Sequence, residues 1–112
     1  MNEFNEKIVL ITGGASGLGE TLVEMFLSHG AKVAFTYLNS TDKAKAITKK
    51  HGDSVFALKA DVSDYERAKE VIKLVVEHFG TLDVLVNNAA SAMHKAFLSL
   101  TSEDFVYSLN NS

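Results

Sequence analysis

Three glycines, Gly13, Gly17 and Gly19, stand in the spacing T-G-x-x-x-G-x-G within "LITGGASGLG", directly after an apolar run. A glycine at the end of a strand lets the chain turn. A second lets backbone approach a ligand with no Cβ in the way, and a third lets a helix pack closely. The free N–H groups and positive dipole end of the helix that follows then suit a pyrophosphate. The bland alternative is a strand-to-helix turn in an unrelated α/β domain. Two further groups bear on the choice. "ADV" (Ala60–Val62) brings a carboxylate, Asp61, able to accept from an amino group or to serve as a turn residue ahead of a helix. "NNAAS" brings the amides of Asn87 and Asn88. The four histidines, at 29, 51, 78 and 94, lack metal-ligand spacing, and His94, in the loop after the last strand, reads as an exposed loop residue in preference to a substrate contact.

The elements that must carry these residues alternate. "KIVLIT" (Lys7–Thr12) is short, apolar and β-branched, as suits a strand buried on both faces. Leu18, Leu22, Met25 and Phe26 then fall at helical spacing, and Gly30 is the expected stop. "KVAFTY" (Lys32–Tyr37) is a second strand, Thr41 to about Lys50 a helix ended near Gly52, and "SVFALK" (Ser54–Lys59) a third strand. Ser63 with Glu66 forms a capping box opening a helix whose Ala68, Ile72, Val75, Val76 and Phe79 share a face, closed by Gly80. "LDVLVN" (Leu82–Asn87) is a fourth strand. After a loop, Thr101 with Asp104 repeats the capping box, so a last helix is expected there, with Phe105 and Leu109 on its buried stripe.

Such alternation implies an α/β domain, a parallel sheet with helices on both faces. Right-handed crossovers favour a doubly wound sheet in the order 3-2-1-4, with its switch point between strands 1 and 4. The glycine loop and "NNAAS" both follow strands flanking that switch, where ligands bind in open α/β sheets. Strand 4 is expected to present an unpaired edge, which invites aggregation.

Of the 112 residues, 46% are hydrophobic and 22% charged, which excludes a disordered chain. A net charge of -3 argues against a nucleic-acid partner, and the absence of cysteine rules out disulfides and thiolate metal sites. No apolar run approaches the roughly 18–20 residues that span a bilayer, and the acidic, polar N-terminus is unlike a secretory signal. A cytoplasmic protein without a membrane partner is expected. There is no proline and no repeat, so residues 1–112 read as one domain.

The order T-G-x-x-x-G-x-G, then "ADV" after the third strand, then "NNAA" after the fourth resembles the N-terminal half of the short-chain dehydrogenase/reductase family, over essentially the whole chain. The resemblance implies a Rossmann-type NAD(P)-binding domain, the front part of a longer fold, and an oxidoreductase. It implies that Gly13, Ser16, Gly17, Leu18 and Gly19 line the pyrophosphate and adenosine ribose, and that Asp61 and Val62 meet the adenine. Asn87 would tie strand 4 to its neighbours, and Asn88 and Ala89 would adjoin the nicotinamide ribose. Ala90 stands where the family usually has Gly.

An acid ending strand 2 would bind the ribose 2′-OH of NAD and repel a 2′-phosphate. "FTYLNST" has none before Asp42, which also argues against a different Rossmann-type binder such as a methyltransferase. Ser16 stands where relatives that prefer NADP often carry Arg or Lys. Asn39, Ser40 and Thr41 could hydrogen-bond a phosphate, with Lys43 in reach, although a turn and helix cap would use the same residues. NADP(H) is favoured, with NAD(H) as the alternative.

The family's chemistry is hydride transfer between nicotinamide and a carbonyl or alcohol carbon, with a Tyr-x-x-x-Lys pair and a Ser in its second half. Here Tyr37 and Tyr107 lack the partner. Tyr65 and Lys69 have the spacing but sit on the helix after strand 3, where a solvent-facing pair is expected. The family's water-holding Asn on the helix after strand 4 maps onto Asn110, although the stretch before it is somewhat shorter than the family's. "NNAAS" and "FTYLNST" also resemble bacterial acyl-carrier-protein reductases, implying a small-molecule or acyl-thioester substrate. The longer protein would be a homo-oligomer, and the 112 residues alone inactive and poorly stable. The competing reading is a non-catalytic nucleotide-binding module.

Overall fold

Four apolar runs become four adjacent strands because each can be covered on both faces only inside a parallel sheet. In the computed structural model, which describes residues 4–88, 91–100 and 107–110, β1 (Ile8–Ile11) is buried along its whole length. It pairs in parallel with β2 (Lys32–Tyr37) on one side and β4 (Val84–Asn87) on the other. β3 (Val55–Lys59) continues the sheet beyond β2, and the short β5 (Tyr107–Asn110) continues it beyond β4. The order is β3-β2-β1-β4-β5, so the expected 3-2-1-4 arrangement is present with one strand added.

Alternation along the strands splits the core in two. Val9, Ile11, Val33, Phe35, Val84 and Val86 face α1 (Gly17–Ser28) and α2 (Thr41–His51). Ile8, Leu10, Ala34, Leu58 and Leu85 face α3 (Tyr65–Phe79) and α4 (Ser91–Leu100). Gly30 and Gly80, both at positive φ, follow α1 and α3 as expected.

Four expectations need correction. The buried stripe of α1 is Gly19, Val23 and Phe26, whereas Leu18 and Met25 are 53% and 43% exposed. The helix is seated through Gly19, and that contact turns its inner face by about one residue. Secondly, α3 is capped by Asp64, whose carboxylate accepts from the N–H groups of Glu66 and Arg67, and not by Ser63. Ser63 is engaged by Asp61 instead. Thirdly, the segment read as a loop after β4 is helical from Ser91, because Met93, Ala96 and Phe97 at helical spacing bury against α3. His94 therefore lies within α4.

Finally, residues 107–110 are a strand and not the end of a helix, so Asn110 is not in the helical position assigned to it. The open edge of β4 offers a row of backbone donors and acceptors, and β5 pairs with it from Val84↔Tyr107 to Asn87↔Asn110. The edge expected to be bare is thus covered. Thr101, Asp104, Phe105 and Asn111 lie outside the described residues, as do Ala89 and Ala90.

Candidate functional site

The turn leaving β1 is held from two sides by buried hydroxyls. Thr12 and Thr36, at 0% and 2% exposure, end the buried parts of β1 and β2. The Gly13 N–H donates to Thr36 Oγ1 at 3.1 Å, and the Gly14 N–H donates to the Thr36 carbonyl at 3.0 Å. On the other side Thr12 Oγ1 accepts from the Asn88 N–H at 2.8 Å and donates to Asn87 Oδ1 at 3.4 Å. Thus β2 and β4 both fix the exit of β1, and Asn87 ties β4 to its neighbour as the resemblance implied.

Gly13 adopts φ +72, a backbone that side chains other than glycine rarely take. A Cβ there would also stand 3.3 Å from Asn88 Nδ2, so the two residues are in contact. Gly19 is required by close approach, since a Cβ on it would run into the Gly13 carbonyl. Between them Ser16 caps α1. Its hydroxyl donates to the Gly13 carbonyl at 2.8 Å and accepts from the Gly19 N–H at 3.2 Å.

That cap leaves two first-turn donors over. The Glu20 N–H is taken by the Ser16 carbonyl. The N–H groups of Gly17 and Leu18 have no partner among the described residues, and at a helix N-terminus they project outward along the axis. A Cβ built on Gly17 meets nothing within 4 Å. Gly17 and Leu18 are both exposed, so the start of α1 is open to solvent.

A cleft of about 180 Å³ runs from Gly13 and Thr36 past Tyr37 and Leu38 to Asp61 and Val62. Leu38 is 49% exposed at its rim, and Val62 is buried in its wall. Asp61 is exposed, and its carboxylate accepts from both the hydroxyl and the N–H of Ser63, at 2.6 and 3.0 Å. Those two bonds, the hydroxyl's foremost, hold the carboxyl below the usual range. Asn39 is exposed just past β2, and Ser40 occupies the N-cap of α2 without a side-chain capping bond. Asn110 stands in register with Asn87 on β5.

The candidate residues among those described therefore lie at the carboxyl ends of β1, β2, β3 and β4, with Asn110 at the end of β5. Sequence reasoning missed the hydroxyl pins Thr12 and Thr36, and also Gly14, on which a Cβ would run into the Phe35 side chain. The only signal for the threonines was a polar residue ending an apolar strand. Tyr65 and Lys69, with the ammonium 5.1 Å from the ring centre, lie on α3 outside this cleft.

The short chain dehydrogenase family model matches residues 7–111. The chain belongs to that family. Among curated relatives it is 35% identical, over 102 residues, to a 3-oxoacyl-[acyl-carrier-protein] reductase of Staphylococcus aureus, covering 88% of this chain and 42% of that protein. The chain thus spans about two fifths of the length of such relatives. Among solved structures, a 3-ketoacyl-(acyl-carrier-protein) reductase from Brucella melitensis complexed with NADH superposes with a TM-score of 0.72 at 33% identity, covering 78% of this chain and 35% of that one. A short-chain dehydrogenase/reductase from Serratia marcescens gives 0.71 at 40% identity, covering 77% and 36%. The sheet order and its flanking helices are those of a Rossmann-like member of this family.

Proposed function

We propose that residues 1–112 are the nucleotide-binding portion of an oxidoreductase that moves hydride between NADP(H), with NAD(H) second, and a carbonyl or alcohol carbon. The observation that carries this reading is the pair of exposed N–H groups at the start of α1, those of Gly17 and Leu18, which have no partner among the described residues. Their donors and the helix dipole suit a diphosphate. The bound dinucleotide would supply the hydride chemistry, and the protein's task is to hold and orient it.

In this reading Gly13, Ser16 and Gly19 shape the cradle, and Gly17 and Leu18 give it their amides. Asp61 and Val62 meet the adenine, and Asn88 and Ala89 the nicotinamide ribose. Asn39 receives the 2′-phosphate of NADP beside the hydroxyl of Ser40, which makes no capping bond to α2. The choice of NADP(H) is supported by the lack of an acid among Tyr37, Leu38 and Asn39. Asn110 enters as a catalytic candidate through its register with Asn87 at the sheet's carboxyl end, and no longer through a helix.

The likeness to 3-oxoacyl reductases supports a ketone or acyl-thioester substrate for the longer protein, which we take to be a cytoplasmic homo-oligomer. The 112 residues alone would bind without turnover, for want of the family's Ser and Tyr-x-x-x-Lys at the nicotinamide end. Titration with NADPH and NADH, followed by nicotinamide fluorescence and by thermal unfolding, tests the binding. NADPH should bind more tightly, and at a hundredfold excess over its Kd should stabilise the fold by about 2.7 kcal/mol. Unchanged melting with both dinucleotides overturns the reading.

A further inference from the structure

We propose that Thr36 is the positioning residue of the dinucleotide loop, setting it through the Gly13 N–H. The proposal rests on the binding reading above. Thr36 grips consecutive residues of the turn with different atoms, its hydroxyl accepting from Gly13 and its carbonyl from Gly14. The side chain of the preceding residue, Phe35, lies against Gly14, so that the turn rests on the end of β2.

Thr36 is 2% exposed yet lines the cleft. Its hydroxyl proton meets no acceptor among the described residues, and is available to an oxygen of a molecule entering there. The Gly13 N–H is only partly shielded, and once it loses its acceptor it turns toward water or another partner. Removing the hydroxyl therefore shifts the Gly13–Gly14 peptides, and with them the Gly13 carbonyl on which Ser16 and the start of α1 are built.

Valine is the matching probe, since it keeps the β-branched shape of threonine and suits a strand. Serine keeps the hydroxyl and loses the methyl. In the 112-residue chain, Thr36→Val should weaken both NADPH and NADH about tenfold, which corresponds to about 1.4 kcal/mol. Thr36→Ser should stay within about twofold of wild type, since it retains the acceptor. Equal loss for the two dinucleotides is expected because the pinned turn adjoins the diphosphate they share, whereas a contact to the 2′-phosphate would change NADPH alone.

Affinities are measured by fluorescence at a temperature where circular dichroism finds every variant folded. Amide exchange at Gly13, read by NMR without ligand, should quicken in Thr36→Val and not in Thr36→Ser. If Thr36→Val binds both dinucleotides as wild type does, or if the Gly13 amide is equally protected in it, the inference falls while the binding reading stands. If the wild-type chain binds neither dinucleotide, the binding reading falls and takes this inference with it. If Thr36→Val does not fold, Thr36→Ser carries the test, and a tenfold loss in that variant overturns the inference.

Discussion

Gly17 and Gly19 lie two positions apart and have opposite surroundings, which separates binding from folding at single residues. A methyl on Gly19 has nowhere to go except into the Gly13 carbonyl. Gly19→Ala should therefore lose about 1–3 kcal/mol of stability in urea unfolding, the range of an overpacked contact. A methyl on Gly17 enters open space, and Ala is the better helix former by up to about 1 kcal/mol. Gly17→Ala should keep or raise stability while weakening dinucleotide binding, and unchanged affinity would count against the proposed cradle. Asp61 gives the pH dependence. Its carboxyl is depressed by Ser63, so its contribution is present above the ordinary carboxylate pKa of about 3.9 and is lost as pH falls through the lowered folded value. Ser63→Ala should return the Asp61 titration toward the ordinary range, as followed by NMR of its side-chain carbonyl carbon.

At the scale of elements, the cap of α3 shows what sequence patterns miss. "DVSD" contains two carboxylates and one hydroxyl, and the capping-box template selected Ser63 because Glu66 lies three residues on. Asp61 takes the Ser63 hydroxyl for itself, and Asp64 is left to receive the free N–H groups of the helix. Asp64→Ala should then cost about 1 kcal/mol in chemical unfolding, with the cap retained in Ser63→Ala. The four strands β1 to β4 were legible because each is an unbroken apolar run bounded by glycine or polar residues. α4 was not, although Met93, Ala96 and Phe97 have helical spacing, because the Thr101–Asp104 pattern offered a later start. β5 is a strand by virtue of its neighbour, since four residues reading Y-S-L-N acquire that state from the edge of β4. Likewise Gly13, Gly17 and Gly19 could be read from spacing, while Gly14, Thr12 and Thr36 became visible only once β2 and β4 were known to flank β1.

For the molecule as a whole, α4 is what closes the second layer of the core. Phe97 and Met93 are fully buried between that helix, α3 and the sheet. Phe97→Ala should lower stability by about 3–5 kcal/mol, a large share of the roughly 5–15 kcal/mol that holds a domain folded, and melting of the purified variant measures it. The hydrogen bond from Asn88 to Thr12 spans 76 residues, and that from Gly13 to Thr36 spans 23. A protein is made from its N-terminus onward at about 5–20 residues per second. The glycine turn is therefore synthesised several seconds before Asn88, the last of its restraints, emerges. Until then the growing polypeptide has the peptide groups of the turn without the restraint that β4 places on Thr12.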